Sequence, residues 1–191
     1  MQTRTVGLVL AAGAGTRMGR PKALVRDDAS RPWLELAVGA LLDGGCDGVV
    51  VVLGAAADEA RALVPARTAV VVTVAERWRD GLGASLDAGL TALDEDQVVD
   101  AALVTLVDLP GLPADAVRRV LGPRPRVDTL RQAVHDGRPG HPVLLGRAHW
   151  PAVRAELDGD RGAGAYLRRN GADRVECADL WDGADQDRPA T

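Results

Sequence analysis

Val6-Gly7-Leu8-Val9-Leu10-Ala11 runs directly into Ala12-Gly13-Ala14-Gly15-Thr16-Arg17-Met18-Gly19-Arg20-Pro21-Lys22. Six residues without polar alternation read as a strand covered on both faces, as in a parallel sheet. Small residues follow at once, and then two arginines and a lysine. A buried strand that opens into such a loop brings backbone N–H groups and fixed charge close to phosphates. The same stretch imitates a secretory signal, with Arg4, an apolar run and small residues at 12–14. The run is short, however, and leads into a basic, glycine-rich segment rather than a cleavage region. No other stretch approaches the ~18 apolar residues of a membrane span. The chain therefore reads as cytoplasmic, with no membrane partner.

Working outward, three further apolar runs read as doubly covered strands: Val49–Leu53, Ala69–Val74 and Ala101–Val107. Helical stripes lie between them. Leu34, Val38, Leu41 and Leu42 make one, ended near Gly44-Gly45, and residues 57–64 make a short one closed by Pro65. Leu86, Leu90 and Leu93 make a third, and Val117, Val120 and Leu121 a fourth, bounded by Pro113 and Gly122. Strands are expected over 127–134 and 142–145, separated by turn-rich 135–140. Helices are expected over 148–157 and 162–169, and a last strand over 174–177. This alternation predicts an α/β fold: one Rossmann-like domain over 1–182, with a mostly parallel central sheet and helices on both faces. The small, polar residues 183–191 are expected to fray.

Composition narrows the function classes. The 191 residues carry a net charge of −4, which leaves no basic footprint for nucleic acid. Cys46 and Cys177 have no metal-ligand spacing and read as reduced, buried thiols. Of 23 basic residues, 22 are arginine, and the single lysine is Lys22, at the end of the loop.

In open parallel sheets ligands bind beyond the carboxyl ends of the strands, and two such loops carry motifs. In the first, Lys22 lies between Pro21 and Ala23, so the Walker pattern fails. The dinucleotide fingerprint fails too: Met18 stands where its third small residue should be, and Leu53-Gly54-Ala55 supplies no acid for a ribose. In the second, Asp108-Leu109-Pro110-Gly111-Leu112-Pro113 places an acid at a strand end, held by two prolines. That acid suits a hard cation such as Mg²⁺, or else caps the following helix.

The loop Leu10–Lys22 resembles the signature of the MobA-like NTP transferase family, in particular its molybdenum cofactor cytidylyltransferases. The resemblance implies a Mg²⁺-dependent nucleotidyltransferase. It assigns the nucleotide to Leu10, Ala11, Ala12, Gly13, Gly15 and Lys22, and catalysis to Lys22, Arg17 and Asp108, with Asp108 on the metal. Trp78-Arg79-Asp80-Gly81-Leu82-Gly83-Ala84-Ser85-Leu86 is similar to a family segment at the nucleotide site, which adds Gly81 and Ser85. Ser85 also reads as a plain helix cap, and both readings stay open. Gly140-His141-Pro142 and Gly159-Asp160-Arg161-Gly162-Ala163 resemble a turn and a helix start of the family, which imply acceptor contacts for His141 and Asp160. One departure stands out. The family's Asp-x-Asp-Thr aligns with Cys177-Ala178-Asp179-Leu180, so only Asp179 remains as a second metal ligand.

The implied reaction joins a nucleoside monophosphate to a phosphorylated small molecule and releases pyrophosphate. A phosphate monoester is already anionic at neutral pH, because its second pKa is about 6. The absence of a nucleophile–base triad is therefore no obstacle. Ala-Ala-Gly with Pro-Lys resembles the CTP-using members that act on molybdopterin, rather than the GTP-using ones. Guanylyl transfer, a sugar-phosphate acceptor, and a non-catalytic partner or chaperone of a molybdoenzyme remain the alternatives.

Overall fold

The computed structural model describes residues 3–186. The chain runs β1 (Arg4–Ala11), α1 (Trp33–Asp43), β2 (Gly48–Leu53), α2 (Ala57–Arg61), β3 (Val70–Val74), α3 (Leu82–Asp94), β4 (Val99–Leu106) and α4 (Ala114–Leu121). It continues through β5 (Leu130–His135), β6 (Arg138–Gly146), α5 (Trp150–Ala155), α6 (Gly164–Arg169) and β7 (Asp173–Glu176). The strands form a seven-stranded sheet in the order β3-β2-β1-β4-β6-β5-β7. β1 pairs in parallel with β2 and with β4, Val9 standing opposite Val51 and Thr105. Only β6 runs against its neighbours. The expected single-domain, mostly parallel α/β architecture is the one observed.

Side-chain alternation along the central strands builds two cores. Val9, Ala11, Val51, Leu53 and Leu103 face α1, α2 and α4. Leu8, Leu10, Val52, Val104 and Val143 face α3, α5 and α6. β1 is thus covered on both sides, as its unbroken apolar run requires. β3 departs from that reading. It is the sheet edge, and Val71 is 59% exposed. An apolar run reports β-propensity as well as double burial, and sequence alone does not separate them.

The hairpin between β5 and β6 is tighter than the turn-rich sequence suggests. Asp136 and Gly137 both take positive φ, 51° and 75°, the pairing of a two-residue type I′ turn. Arg138-Pro139-Gly140 therefore belongs to β6 instead of to a loop. Within the stretch expected to fray, residues 183–186 pass back over the sheet's ligand edge, where the Gln186 N–H donates to the Asp108 carbonyl at 2.9 Å. Residues 187–191 lie outside the described residues. No helix among the described residues is long and apolar enough to cross a membrane.

The chain path places the site. β1, β2 and β3 are laid down in one direction, and β4 then returns to the other side of β1. The loops leaving β1 and β4 emerge side by side there and lead to helices on one face of the sheet, α1 and α4, at the carboxyl edge where such sheets bind ligands. Both sequence motifs lie on those two loops.

Candidate active site

The first loop is shaped by its own backbone. Gly15 has φ +62°, and a Cβ there would lie 1.9 Å from the Arg20 carbonyl oxygen. The loop folds back on itself so closely that no side chain fits at this position. Met18 N–H closes the turn onto the Gly15 carbonyl at 2.9 Å. Met18 is buried and anchors the loop in the core. Pro21 then leads into a short 3₁₀ turn, Lys22–Leu24, which presents the lysine.

Lys22 Nζ lies 2.5 Å from Asp108 Oδ2, and the two side chains are only 17% and 13% exposed. The only lysine of the chain thus meets the acid at the end of β4. Asp108 is held by its neighbour: the Val107 N–H donates to the Leu10 carbonyl at 3.1 Å, which ties this loop to the end of β1. Asp108 Oδ1 is buried without a hydrogen-bond partner among the described residues. A helix cap would have used that oxygen, but α4 starts after Pro113 with no side-chain cap. The cap reading is excluded for Asp108.

Beyond the carboxyl end of β1 lies a cavity of about 370 Å³. Leu10, Ala12, Gly13, Gly81, Ser85 and Asp160 are among the residues lining it. Five of these came from the proposed nucleotide set. Ala11 differs, because its side chain points into the core shared with α1, so it can serve a ligand only through its backbone. Gly81 precedes α3 with φ +107°, and a Cβ there would lie 2.5 Å from the Gly159 carbonyl carbon and 2.8 Å from Asp160 Oδ1. Gly83 N–H donates to the Gly159 carbonyl at 2.9 Å. The 159–160 turn is therefore pressed against the start of α3. Asp160 lines the same cavity as Gly81 and Ser85, and Gly162 and Ala163 of its segment line the adjoining one with His141.

Ser85 is the fourth residue of α3, and its Oγ donates back to the Gly81 carbonyl at 3.4 Å. It is not the cap. Trp78 and Arg79, which open the segment similar to the family's but were given no role of their own, also line the cavity. The Arg79 guanidinium sits 4.3 Å from the Trp78 ring centroid, a cation–π contact. A Trp-Arg pair just before a glycine at a helix start was the signal available for them. Arg17 is exposed on the outer part of the loop and does not line this cavity.

Two other predicted residues lie apart. Asp179 Oδ1 and Oδ2 are taken by Arg119 Nη1 and Nη2 at 2.5 and 2.9 Å, and that guanidinium holds its carboxyl below the usual range. The structure pairs Asp179 with Arg119 of α4. Cys177 is fully buried in the α1–α4 core, and burial pushes its thiol up. Cys46 is also free and buried, its thiol pushed up to about 12 by burial. His141 lines a second cavity of about 190 Å³, which shares Leu10 and Leu82 with the first. Burial holds its ring below the usual histidine range, against the opposing pull of the Val104 carbonyl and of Asp108.

A larger groove of about 710 Å³ runs along α3 and α5. Five acids line it, Glu76, Asp80, Asp87, Glu95 and Asp158, against Arg77 and Arg154. That charge is wrong for a triphosphate, and the groove lies away from both motif loops.

Comparison with known proteins identifies the family. Residues 7–175 match the model of the MobA-like NTP transferase domain. The chain belongs to the MobA-like NTP transferase family. By family it is an NTP-using nucleotidyltransferase, and the matched span takes in both motif loops and both cavities. The chain is 39% identical over 193 residues to a nicotine blue oxidoreductase of Paenarthrobacter nicotinovorans, covering 95% of this chain and 91% of that protein. Rv0371c of Mycobacterium tuberculosis superimposes with a TM-score of 0.75 at 24% identity, over 92% of this chain and 89% of that one. Its complex with manganese gives 0.67. A nucleotidyl transferase of Methanothermobacter thermautotrophicus gives 0.73 at 23% identity, over 91% and 87%. At these identities the structural likenesses establish the fold of the MobA-like chain and nothing finer.

Proposed function

We propose that the protein transfers a nucleoside monophosphate, preferentially from CTP, to the phosphate monoester of molybdopterin, with Mg²⁺ as cofactor. The observation that carries this reading is Asp108. It is fixed at the ligand edge with one oxygen on Lys22 and the other buried with no hydrogen-bond partner among the described residues. Among the described residues no three His, Cys, Asp or Glu side chains form a complete metal site. A cation that keeps its waters and is completed by substrate phosphates needs no such group, and one carboxylate suits Mg²⁺. Bound there, Mg²⁺ would neutralise charge between the two polyanionic substrates.

The chain's own groups do the rest. The acceptor's phosphate oxygen bonds to the α-phosphorus of CTP as the bond to the β-phosphate oxygen breaks, and pyrophosphate leaves. The attacking oxygen is already anionic, so no base is needed. Lys22 supplies an ammonium beside the reacting phosphates, and the closed loop around Gly15 supplies backbone N–H donors fixed before the substrate arrives. The start of α3, with Gly81 and Ser85, holds the other side of the nucleotide cavity. Release of pyrophosphate from CTP or GTP, with molybdopterin or a sugar 1-phosphate as acceptor, tests the reading. Turnover of CTP with molybdopterin is the expected result, and turnover with the sugar phosphate alone would overturn the acceptor assignment.

A second reading rests on the 39% relative, whose name describes an oxidoreductase. On that reading the nucleotide cavity would hold a redox cofactor that is not cleaved. Consumption of NADPH or NADH without pyrophosphate release would favour it. Cytoplasmic location and a molybdoenzyme that receives the product belong to the first reading.

A further inference from the structure

The polar segment that follows β7 is held at several points. Cys177 to Trp181 close a turn, the Leu180 and Trp181 N–H groups both donating to the Cys177 carbonyl, at 2.9 and 3.2 Å. Trp181 packs edge-on against His135, with ring centroids 5.2 Å apart, and His135 Nδ1 lies 3.3 Å from the Trp181 carbonyl oxygen. Gly183 follows with φ +72°, where a Cβ would collide with His135 Cδ2. The chain thus bends hard against a buried ring, which also reaches the His141 carbonyl oxygen through Nε2 at 3.4 Å. Asp182 steadies the bend, its Oδ1 accepting from the Ala184 N–H at 3.0 Å. The Gln186 N–H then meets the Asp108 carbonyl at 2.9 Å. The Trp181 ring lies over the same loop, since a Cβ at Gly111 would stand 3.7 Å from Trp181 Cε3.

We propose that Trp181 and Gln186 are positioning residues for Asp108: residues 181–186 form a strap, clasped by His135, that fixes the carboxylate beside Lys22. Asp182, Ala184, Asp185 and Gln186 are exposed, so they gain little from burial, while ordering each backbone residue opposes folding. A small, polar run of this kind frays unless it is tied down. Here it is tied to His135 at one end and to Asp108 at the other. The loop it holds has few ties of its own. β4 ends at Leu106 and α4 begins at Ala114. Between them the Val107 N–H donates to Leu10 and the Leu112 N–H to Leu109, and the Gln186 bond falls on Asp108 itself. A carboxylate that meets a cation and phosphates has to be held within about 0.5 Å of its working place. The inference rests on the transfer reading for the role of Asp108, whereas the coupling of strap to loop stands without it.

The test exploits a bond made by backbone alone. Gln186→Pro removes the donating N–H at an exposed position, whereas Gln186→Ala keeps it. Amide hydrogen exchange at residues 107–112 of the full chain reads the coupling, and Mn²⁺ binding in the presence of CTP, followed by electron paramagnetic resonance, reads the placement of Asp108. Gln186→Pro should speed exchange in that loop and weaken Mn²⁺ binding about fivefold, the worth of one net hydrogen bond. Gln186→Ala should match wild type in both. Trp181→Ala should weaken Mn²⁺ further, and Trp181→Phe, which keeps a ring against His135 and Gly111, should restore most of the loss. Unchanged exchange in Gln186→Pro would overturn the proposal, as would a lowered Tm in Trp181→Ala with Mn²⁺ affinity intact, the mark of a merely structural strap. Faster exchange and weaker Mn²⁺ in Gln186→Pro, with no pyrophosphate released by wild type, would uphold the strap and defeat the transfer reading. Pyrophosphate release at one rate and one Mn²⁺ affinity in wild type, Gln186→Pro and Trp181→Ala would do the reverse.

Discussion

Replacing Asp108 by asparagine keeps the side chain's shape and removes its charge, so it isolates the electrostatic part of the Lys22–Asp108 pair. At the observed 2.5 Å and an effective dielectric near 20, the two charges attract by roughly 6–7 kcal/mol. Removing both groups from water takes back several kcal/mol, which leaves a coupling to folding of about 1–3 kcal/mol. Asp108→Asn alone takes the carboxylate from a largely buried ammonium and should lower stability by about 2–4 kcal/mol. For a chain of this size that is roughly 4–16 °C in Tm. Lys22→Met should cost about as much, because it strands the carboxylate. The double variant removes both charges and should recover most of the loss. Urea unfolding of the four proteins yields the coupling directly. Turnover should not follow stability: all three variants should lose at least ~100-fold, since each removes a group beside the reacting phosphates. Losses that add to within about 0.5 kcal/mol would refute a buried, coupled pair. A double variant that regained turnover together with stability would place both residues in the scaffold.

Three other outcomes follow from the geometry. Gly15→Ala must place a Cβ 1.9 Å from the Arg20 oxygen at φ +62°, so the loop has to open. Nucleotide affinity should fall at least ~10-fold, about 1.4 kcal/mol, and unchanged binding by calorimetry would show that the closed loop is not the binding form. Mg²⁺ should raise the wild-type Tm through binding to the folded state and should not raise that of Asp108→Asn; equal shifts in both would remove Asp108 from the metal. His141 is held below its ordinary value of 6.5 by burial, so the unfolded chain takes up that proton first. Its contribution to stability is complete above about pH 6.5 and is lost as pH falls toward the depressed folded value. Unfolding midpoints should drop on acidification, and less steeply in His141→Gln; parallel profiles would contradict this.

Sequence reading went furthest where information is local. β1 declares itself by an unbroken apolar run, and the loop after it by glycines and the lone lysine, because both depend on the backbone's own needs. Asp108 was legible because a strand end and two prolines fix its place. What failed depended on partners far away in the chain. β3 looks like β2 in composition, but nothing in it says that it ends the sheet. Asp179 is engaged by Arg119, 60 residues earlier, and Asp160 lies against Gly81 across two elements; neither contact leaves a trace in local spacing. Ser85 was ambiguous until the start of α3 was known to the residue, since a cap and an N4 position differ by four places.

Transfer of the nucleotidyl group from the α-phosphate of CTP to a phosphorylated acceptor, as proposed, can be followed with a label. CTP labelled at the α-phosphate, incubated with the protein, Mg²⁺ and molybdopterin, tests it most directly. The label should move to the acceptor in step with pyrophosphate release, and Lys22→Met should move almost none. Label that stays in intact CTP, while the same preparation oxidises a reduced nicotinamide nucleotide, would contradict it.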